Sequence, residues 1–533
     1  MKKNLFTKVF CCVLAATMVL GLAACGQQEE QKESSKTPAS SGADSSSVAA
    51  SESEEEREAV ELVWYTFVSS KGQGEEATMK AVNEYLSEKL NTTIDAHFYT
   101  QADYTSTVPN IFNSGTYMDL LTTGSNNVDF LSLASRNAFF AIEDYIDEYL
   151  PGTKAALPEA AWDAYTVNGH VYAVPPIKDL AYRWDYMFNK TMLDDLGLEA
   201  PETWETAYDL IPFLYDVKEA RDAKYPEEAK NPILKGAINY MEAYYFFDAL
   251  VGGINSTLVA TNIPGLPGFE GYGDGETVFC PYYTDEFVEY AKQNHALVAD
   301  GIASPDARQF DPDGVLFQSG KLLGSITIGN VYVEPNNGYY DVVDVVCSES
   351  TLTTSSMQVA GFCIPATSKY PERVLEVIEL LQTDEYLATV IRFGPEGQGW
   401  TDTDNDGVIE ATEVNADSQN RWWWNYYGYQ LGSLYATKKT PGTPSNFNEL
   451  LQELNNNATQ SINVGFVFDQ TPVANEIAAC NNVRAEFYDG LGRGNVEDVE
   501  GRVAEFVQKL KENGMDTILK EAQTQLDNWR AEN

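Results

Sequence analysis

From about residue 60 onward, apolar and polar positions alternate between two periods. In ELVWYTFVSS (61–70) the apolar run is almost unbroken and ends in Ser69 and Ser70, which predicts a buried strand followed by a loop. EEATMKAVNEYLSEKL (75–90) has helical spacing, and TTIDAHFYT (92–100) is a second strand. A strand, a helix and a strand in that order imply a parallel sheet. SGTYMDLLTTGSNN (114–127) continues the pattern, with a strand at Asp119–Thr122 opening into a polar loop at 124–127. Loops at the carboxyl ends of parallel strands line ligand crevices. Ser69, Ser70, Ser125, Asn126 and Asn127 are therefore candidate ligand contacts, although ordinary turn chemistry explains the same residues.

The N-terminus has a different pattern. Lys2, Lys3 and Lys8 lead into VFCCVLAATMVLGLA (9–23), too short for a comfortable membrane span but suited to a secretory signal. It closes on LAAC (22–25), which resembles the bacterial lipobox. That resemblance implies a signal peptide over 1–24 and a diacylated Cys25 as the first mature residue; a plain signal peptide is the alternative. The tract over 25–60 is Ser, Gln, Glu and Ala with few large apolar residues, so it reads as a disordered tether. No later apolar run reaches the roughly 20 residues a spanning helix needs.

The chain has 533 residues, 44% of them hydrophobic, enough for more than one core. Its net charge is −45, and removal of the three leader lysines leaves −48. So negative a chain is a poor partner for nucleic acid or polyanionic substrates. Beyond the leader and Cys25 remain Cys280, Cys347, Cys363 and Cys480, whose irregular spacing fits no zinc pattern. Two disulfides are compatible with this count; four buried free thiols are the expectation. The three histidines, His97, His170 and His295, are scattered without a motif, which argues against histidine catalysis or a histidine metal site.

TDTDNDGVIEATE (401–413) concentrates five carboxylates in one loop. Such charges repel unless a cation sits among them. Asp402, Asp404, Asp406, Gly407, Val408, Glu410 and Glu413 fill the pattern D-x-D-x-D-G-x5-E, which supplies hard oxygens, a glycine turn, a backbone carbonyl at position seven and a final bidentate Glu for Ca²⁺. QFDPDGVLFQSG (309–320) is a useful control, because Gln309 and Gly320 occupy its first and last ligand positions and it fails as a site. The turn-rich FGPEGQGW before the loop departs from a true EF-hand, so the expectation is a lone structural calcium loop. RWWWNYYGYQ (421–430) follows directly. Consecutive aromatics cannot all share one face, which leaves some for the core and some for a ligand; Trp424 and Tyr426 are the first candidates to stack on one.

VNGHVYAVPPIKDLAYRWDYMFNKTMLDDLGLEAPETWETAYDLI (167–211) resembles the extracellular solute-binding proteins of ABC importers, family 1-like. The matching parts are the Asn168–Gly169 turn, the strand from Val171, a strand ending in Asn189 and Lys190, then Leu198, Pro201, Thr203 and Trp204. ALVADGIASPDA, FQSGKLLGSITIGN and GFCIPATSKYPERVLEVIELLQTDEYL fit the same family in order. GFVFDQTPVANEIAACNNVRAEFYDGL with KLKENGMDTILKEAQTQLDNW is similar to its long Gram-positive lipoprotein subgroup. The resemblance implies an α/β, two-lobe, periplasmic-binding-protein fold, each lobe a mostly parallel sheet flanked by helices. Expected boundaries are 61–175 plus 359–400 for lobe one and 180–357 plus 435–533 for lobe two. The segment 401–434 carries the calcium loop and an aromatic crossing, and other crossings fall near VPP and Gln358.

The resemblance further implies a monomeric, lipid-anchored carrier on the extracellular face of the cytoplasmic membrane. It would deliver a small solute to an ABC permease, and the aromatic supply, 12% of residues, favours an oligosaccharide. Arg183, Trp184, Asp185 and Tyr186 sit where the family's chain crosses between lobes and could place a stacking ring and a bidentate hydroxyl acceptor beside the solute; Tyr104 is a further aromatic candidate. A sensor or adhesin on the same fold is the alternative, and a polysaccharide-acting enzyme the last. No nucleophile elbow, P-loop or dinucleotide fingerprint is present.

Overall fold

The computed structural model describes residues 57–68, 74–124, 128–253, 255–273, 275–329, 331, 333, 335, 337–412 and 429–532. The first sheet contains β1 (Val60–Val68), β2 (Thr92–Thr100), β3 (Leu120–Thr123) and a strand from much later in the chain, Gly361–Cys363, in the order Gly361–Cys363, β3, β1, β2. β1 runs parallel to β2 from Val60 opposite Thr92 to Val68 opposite Thr100, and parallel to β3; the late strand is antiparallel. The unbroken apolar run of β1 follows from this central place, since neighbours and helices cover both of its faces. β2 is the edge, and it keeps Asp95 exposed. Helix α1 (Glu75–Leu90) returns the chain with Thr78, Val82, Leu86 and Leu90 buried on one stripe, and Asn91 ends it in the left-handed conformation.

A second sheet has β4 (Trp184–Asn189) at its centre, between β5 (Gly324–Ile328) and β6 (Val342–Val346). Both pairings are antiparallel, where a mostly parallel sheet was expected. The reason lies at the carboxyl end of β4. The Asn189 amide donates to the carbonyls of Gly320 and Leu322 at 3.0 and 3.2 Å, so the returning chain is captured there and must run back alongside β4. Gly324 permits the approach: at φ +143° a Cβ would lie 1.9 Å from the Met187 carbonyl oxygen.

Among the described residues two large hydrophobic cores form, beside a small cluster of Phe393, Trp400 and Ile409. The first gathers β1–β3, helix α2 (Gln101–Asn113) and helices α5 (Pro371–Thr383) and α6 (Glu385–Phe393), numbered after α3 (Ala207–Lys224) and α4 (Asp285–Ala299) of the second core. The second core also takes α8 (Ala474–Gly492), α9 (Val499–Glu512) and α10 (Met515–Glu532). Helix α7 (Phe447–Asn457), expected with the second lobe, instead buries Leu451 and Leu454 in the first core. The chain changes core between Ala181 and Trp184, between Cys347 and Leu352, and between Val464 and Phe466. The third crossing thus lies well past the acidic loop, because α7 first has to dock its apolar stripe. Cys280, Cys347, Cys363 and Cys480 are free and buried, as expected. Among the described residues no helix is long and apolar enough to cross a membrane.

The first crossing is held by two amide side chains. Gln382 of α5 accepts from Ile177 N–H at 2.9 Å and donates to the Pro175 carbonyl at 2.7 Å. Asn455 of α7 accepts from Leu180 N–H at 2.8 Å and Ala181 N–H at 3.3 Å, and donates to the Lys178 carbonyl at 2.9 Å. Buried backbone groups left without partners cost about 1–3 kcal/mol each. Asn455→Leu is therefore expected to destabilise the protein by at least about 2 kcal/mol in urea unfolding, while the nearby exposed change Asn456→Ala leaves the midpoint unchanged.

Candidate functional site

The three crossings lie side by side. Val174 pairs with Phe362 and Tyr182 with Thr351 in antiparallel bridges, and Thr351–Leu352 runs parallel to Thr459–Gln460. Against them a narrow cavity of about 50 Å³ is lined by Tyr182, Trp184, Glu242, Tyr245, Phe246 and Glu349, together with Thr351, Thr353 and Ser355. A wider space of about 930 Å³ shares Phe246 and Glu349 with it and is bordered by Arg183, Trp204 and Asp209. The Tyr245 hydroxyl is fixed by that of Tyr208 at 2.8 Å. Glu242 accepts Asn255 N–H through Oε1 at 2.9 Å, but its buried Oε2 has no partner, and burial raises its pKa. A buried acceptor left open in an aromatic wall is suited to a ligand hydroxyl.

Of the residues expected from the sequence, Trp184 lines this cavity but is only 4% exposed and packs its ring on Tyr240, centroids 4.8 Å apart. Asp185 does not serve as a free hydroxyl acceptor. It is fully buried, and Arg183 grips both of its oxygens, Nε to Oδ1 at 2.9 Å and Nη2 to Oδ2 at 2.8 Å. Tyr104 is a core residue rather than a ligand contact: it is fully buried and its hydroxyl donates to the carbonyls of Thr122 and Tyr65 at 2.6 and 3.1 Å. The geometry of β1 and β3 explains this, since their carbonyls need the donor that Tyr104 brings from α2. Ser69, Ser70, Ser125, Asn126, Asn127, Trp424, Tyr426 and Cys25 lie outside the described residues. The sequence reading passed over Glu242, Tyr245 and Phe246, although YMEAYYFF (240–247) sets a carboxylate among aromatics and was available as a signal.

The acidic loop forms a small structure of its own. Trp400–Thr401 pairs with Glu410–Ala411 as a hairpin, Trp400 and Ile409 are buried with Phe393, and Ile409 N–H donates to the Lys439 carbonyl at 2.8 Å. Asn405 at φ 57° and Gly407 at φ 85° turn the chain so that carboxylate oxygens of Asp402, Asp404 and Asp406 lie within 4.8 Å of one another. Val408 N–H donates to Asp406 Oδ1 at 2.8 Å. Lys438 Nζ approaches Asp402 Oδ2 at 3.5 Å, whereas Asp402 Oδ1 is buried and orphaned. An orphaned buried oxygen on an aspartate that clusters with two further carboxylates fits a hard divalent cation. Glu410 stands exposed on the hairpin, and Glu413 lies outside the described residues.

The Arg183–Asp185 pair has a third member. On β6, Asp344 is pushed up to about 7, by burial first and then by the Asp185 carboxylate, with Arg183 opposing; its Oδ1 has no partner. Its folded pKa lies above the unfolded one, near 3.9, so the folded state holds the proton longer. The stability this provides is complete below about pH 4 and is lost as pH rises through about 7. Asp344→Asn is expected to raise the melting temperature at pH 8 more than at pH 5; an equal shift at both would show that Asp344 does not titrate there.

Comparison with known proteins places the fold. A family described as a domain of unknown function (DUF3502) matches residues 462–531. A carbohydrate ABC transporter substrate-binding protein of Streptococcus pneumoniae serotype 4 is 25% identical over 456 residues, 84% of this chain and 86% of the relative. The crystal structure of the N-glycan transport solute binding protein NgtS from Streptococcus pneumoniae superimposes with a TM-score of 0.73 at 21% identity, covering 88% of this chain and 98% of that one. An EF-hand mutant of the S. pneumoniae ABC-transporter substrate binding protein FusA, in complex with fructo-nystose, gives 0.54 at 20% identity, covering 89% and 100%. The fold is the α/β fold of these solute-binding proteins.

Proposed function

We infer that this chain is the substrate-binding protein of a carbohydrate ABC transporter, working outside the cytoplasm and taking an oligosaccharide at the junction of its two cores. The observation that carries this reading is the aromatic cavity at the three crossings, where Glu242 Oε2 stands buried without a partner, taken together with the wider space of about 930 Å³ that shares Phe246 and Glu349 with it and has the room a saccharide needs. The whole-length likeness to a carbohydrate carrier supports it. Ring faces of Tyr245 and Phe246 suit the C–H faces of a sugar, while Glu242 and Glu349 accept its hydroxyls. The two cores act as two lobes, and bending at the crossings closes them on the solute. Closure presents a different surface to the permease, so that loaded and empty carriers are distinguished. No bond is made or broken in this cycle, and the protein is a carrier rather than an enzyme.

Tyr245→Ala and Glu242→Gln are each expected to weaken oligosaccharide binding by tenfold or more, about 1.4 kcal/mol, in titration calorimetry. Unchanged affinity in both would place the solute elsewhere. The LAAC sequence supports a lipid anchor on Cys25, and the polar tract after it a tether that keeps a monomeric carrier at the membrane surface.

The acidic loop is proposed to hold structural Ca²⁺ through the carboxylates of Asp402, Asp404, Asp406 and Glu410, the Val408 carbonyl and Glu413. Bound there, the ion would neutralise the clustered charge and pin the hairpin. Calcium is expected to raise the melting temperature over chelator, and Asp402→Asn with Asp404→Asn to remove that difference; equal melting in calcium and chelator would refute the site.

A further inference from the structure

The second core carries another cavity, of about 530 Å³, where the segment Leu234–Tyr240 parts from strand β5. Leu323 N–H still donates to the Ile233 carbonyl at 2.9 Å. Beyond Gly324 the two chains exchange no backbone hydrogen bond among the described residues, and the gap between them is the cavity. Three cations line it, Lys235, Arg308 and Arg493, and no acidic side chain among the described residues does so. In a chain with 80 acidic and 35 basic residues this is a local inversion of charge.

The cations are sparingly engaged. Lys235 Nζ donates to the Asp311 carbonyl at 2.8 Å, which neutralises nothing. Arg493 uses Nε on Asp489 at 2.6 Å. Arg308 is exposed and has no carboxylate partner among the described residues. Tyr186, 1% exposed, forms part of the wall, and its hydroxyl is buried without a partner. Two arginines and a lysine offer only donors, the arginines in the fork geometry that matches oxyanions. Ile238 and Ile326 add apolar surface that a bare ion would not use.

We propose that this cavity is a second binding site, for a small organic molecule bearing a carboxylate or phosphate group on a compact body. It is distinct from the junction cavity and separated from it by the Trp184–Tyr240 ring pair, whose members face one cavity each. The proposal does not depend on the carbohydrate reading, since its ligand chemistry is set by charge.

The test is titration calorimetry of the full chain with glucuronate, glucose 6-phosphate, glucose and inorganic phosphate, at ionic strength matched with sodium chloride. Wild type is compared with Arg308→Ala, Arg493→Gln and Glu242→Gln. At least one organic anion is expected to bind more tightly than glucose and inorganic phosphate. Its affinity should fall tenfold or more in Arg308→Ala or Arg493→Gln and stay unchanged in Glu242→Gln. Preference for glucuronate would assign a carboxylate ligand, and preference for glucose 6-phosphate a phosphate. The proposal is overturned if neither anion binds above the salt control, if inorganic phosphate or glucose binds as well, if loss of the arginines has no effect, or if Glu242→Gln weakens the anion equally. Arg308 is on the surface, so its replacement reports binding rather than folding.

Discussion

The architecture depends on how a chain that passes between two hydrophobic cores satisfies its backbone. Over 175–181 the polypeptide is in neither a helix nor a sheet, yet most of it is buried. Its peptide groups cannot reach water, and a buried amide without a partner would cost more than most single side-chain contacts return. Gln382 and Asn455 resolve this with side-chain amides that imitate peptide groups, each giving a donor and an acceptor to the crossing. Both belong to helices of the first core. That is why α7 must dock there, and why the third crossing follows it in sequence.

With the crossings fixed side by side, the junction is where the proposed function puts the solute. It collects side chains that are far apart in sequence, such as Tyr182, Glu242 and Glu349, and any relative movement of the cores acts directly on them. The charge of the chain works in the same direction. With −45 overall, a ligand that reaches the junction is read by hydroxyl acceptors and ring faces more than by ionic attraction, and a neutral polyhydroxylated molecule suits that chemistry. The basic cavity on the second core stands out against this background because its lining reverses the sign. Asp402 with its neighbours is the opposite case, an excess of like charge gathered by a hairpin whose hydrophobic support, Trp400 and Ile409, is independent of it.

Several features were legible from residues alone. The strand–helix–strand opening of the first sheet follows from period and length, as the nine-residue register of β1 on β2 shows. The clustering of the aspartates over 402–406 follows from local spacing, and the four cysteines, which fit no zinc pattern, are free and buried as expected of the residue type. The direction of the second sheet was not legible. Antiparallel pairing arises from the capture of Gly320 and Leu322 by Asn189, a contact across more than a hundred residues that no local period encodes. The role of Tyr104 was hidden for a similar reason. An exposed tyrosine after a turn and a buried tyrosine donating to two strand carbonyls look identical in sequence.

By itself the sequence determined the α/β alternation, the acidic loop and the aromatic supply, because each rests on residues near one another along the chain, where period, charge and ligand spacing act directly. Only the tertiary structure decided which carboxylates are open. Asp185 closed on Arg183, fully buried, while Glu242, only partly buried as a residue, kept one buried oxygen unpartnered against the crossings. The strand holds Arg183 against Asp185 and the fold adds Asp344 beside them, whereas among the described residues the hydrogen bond that reaches the Glu242 carboxylate comes from the Asn255 amide, thirteen residues away.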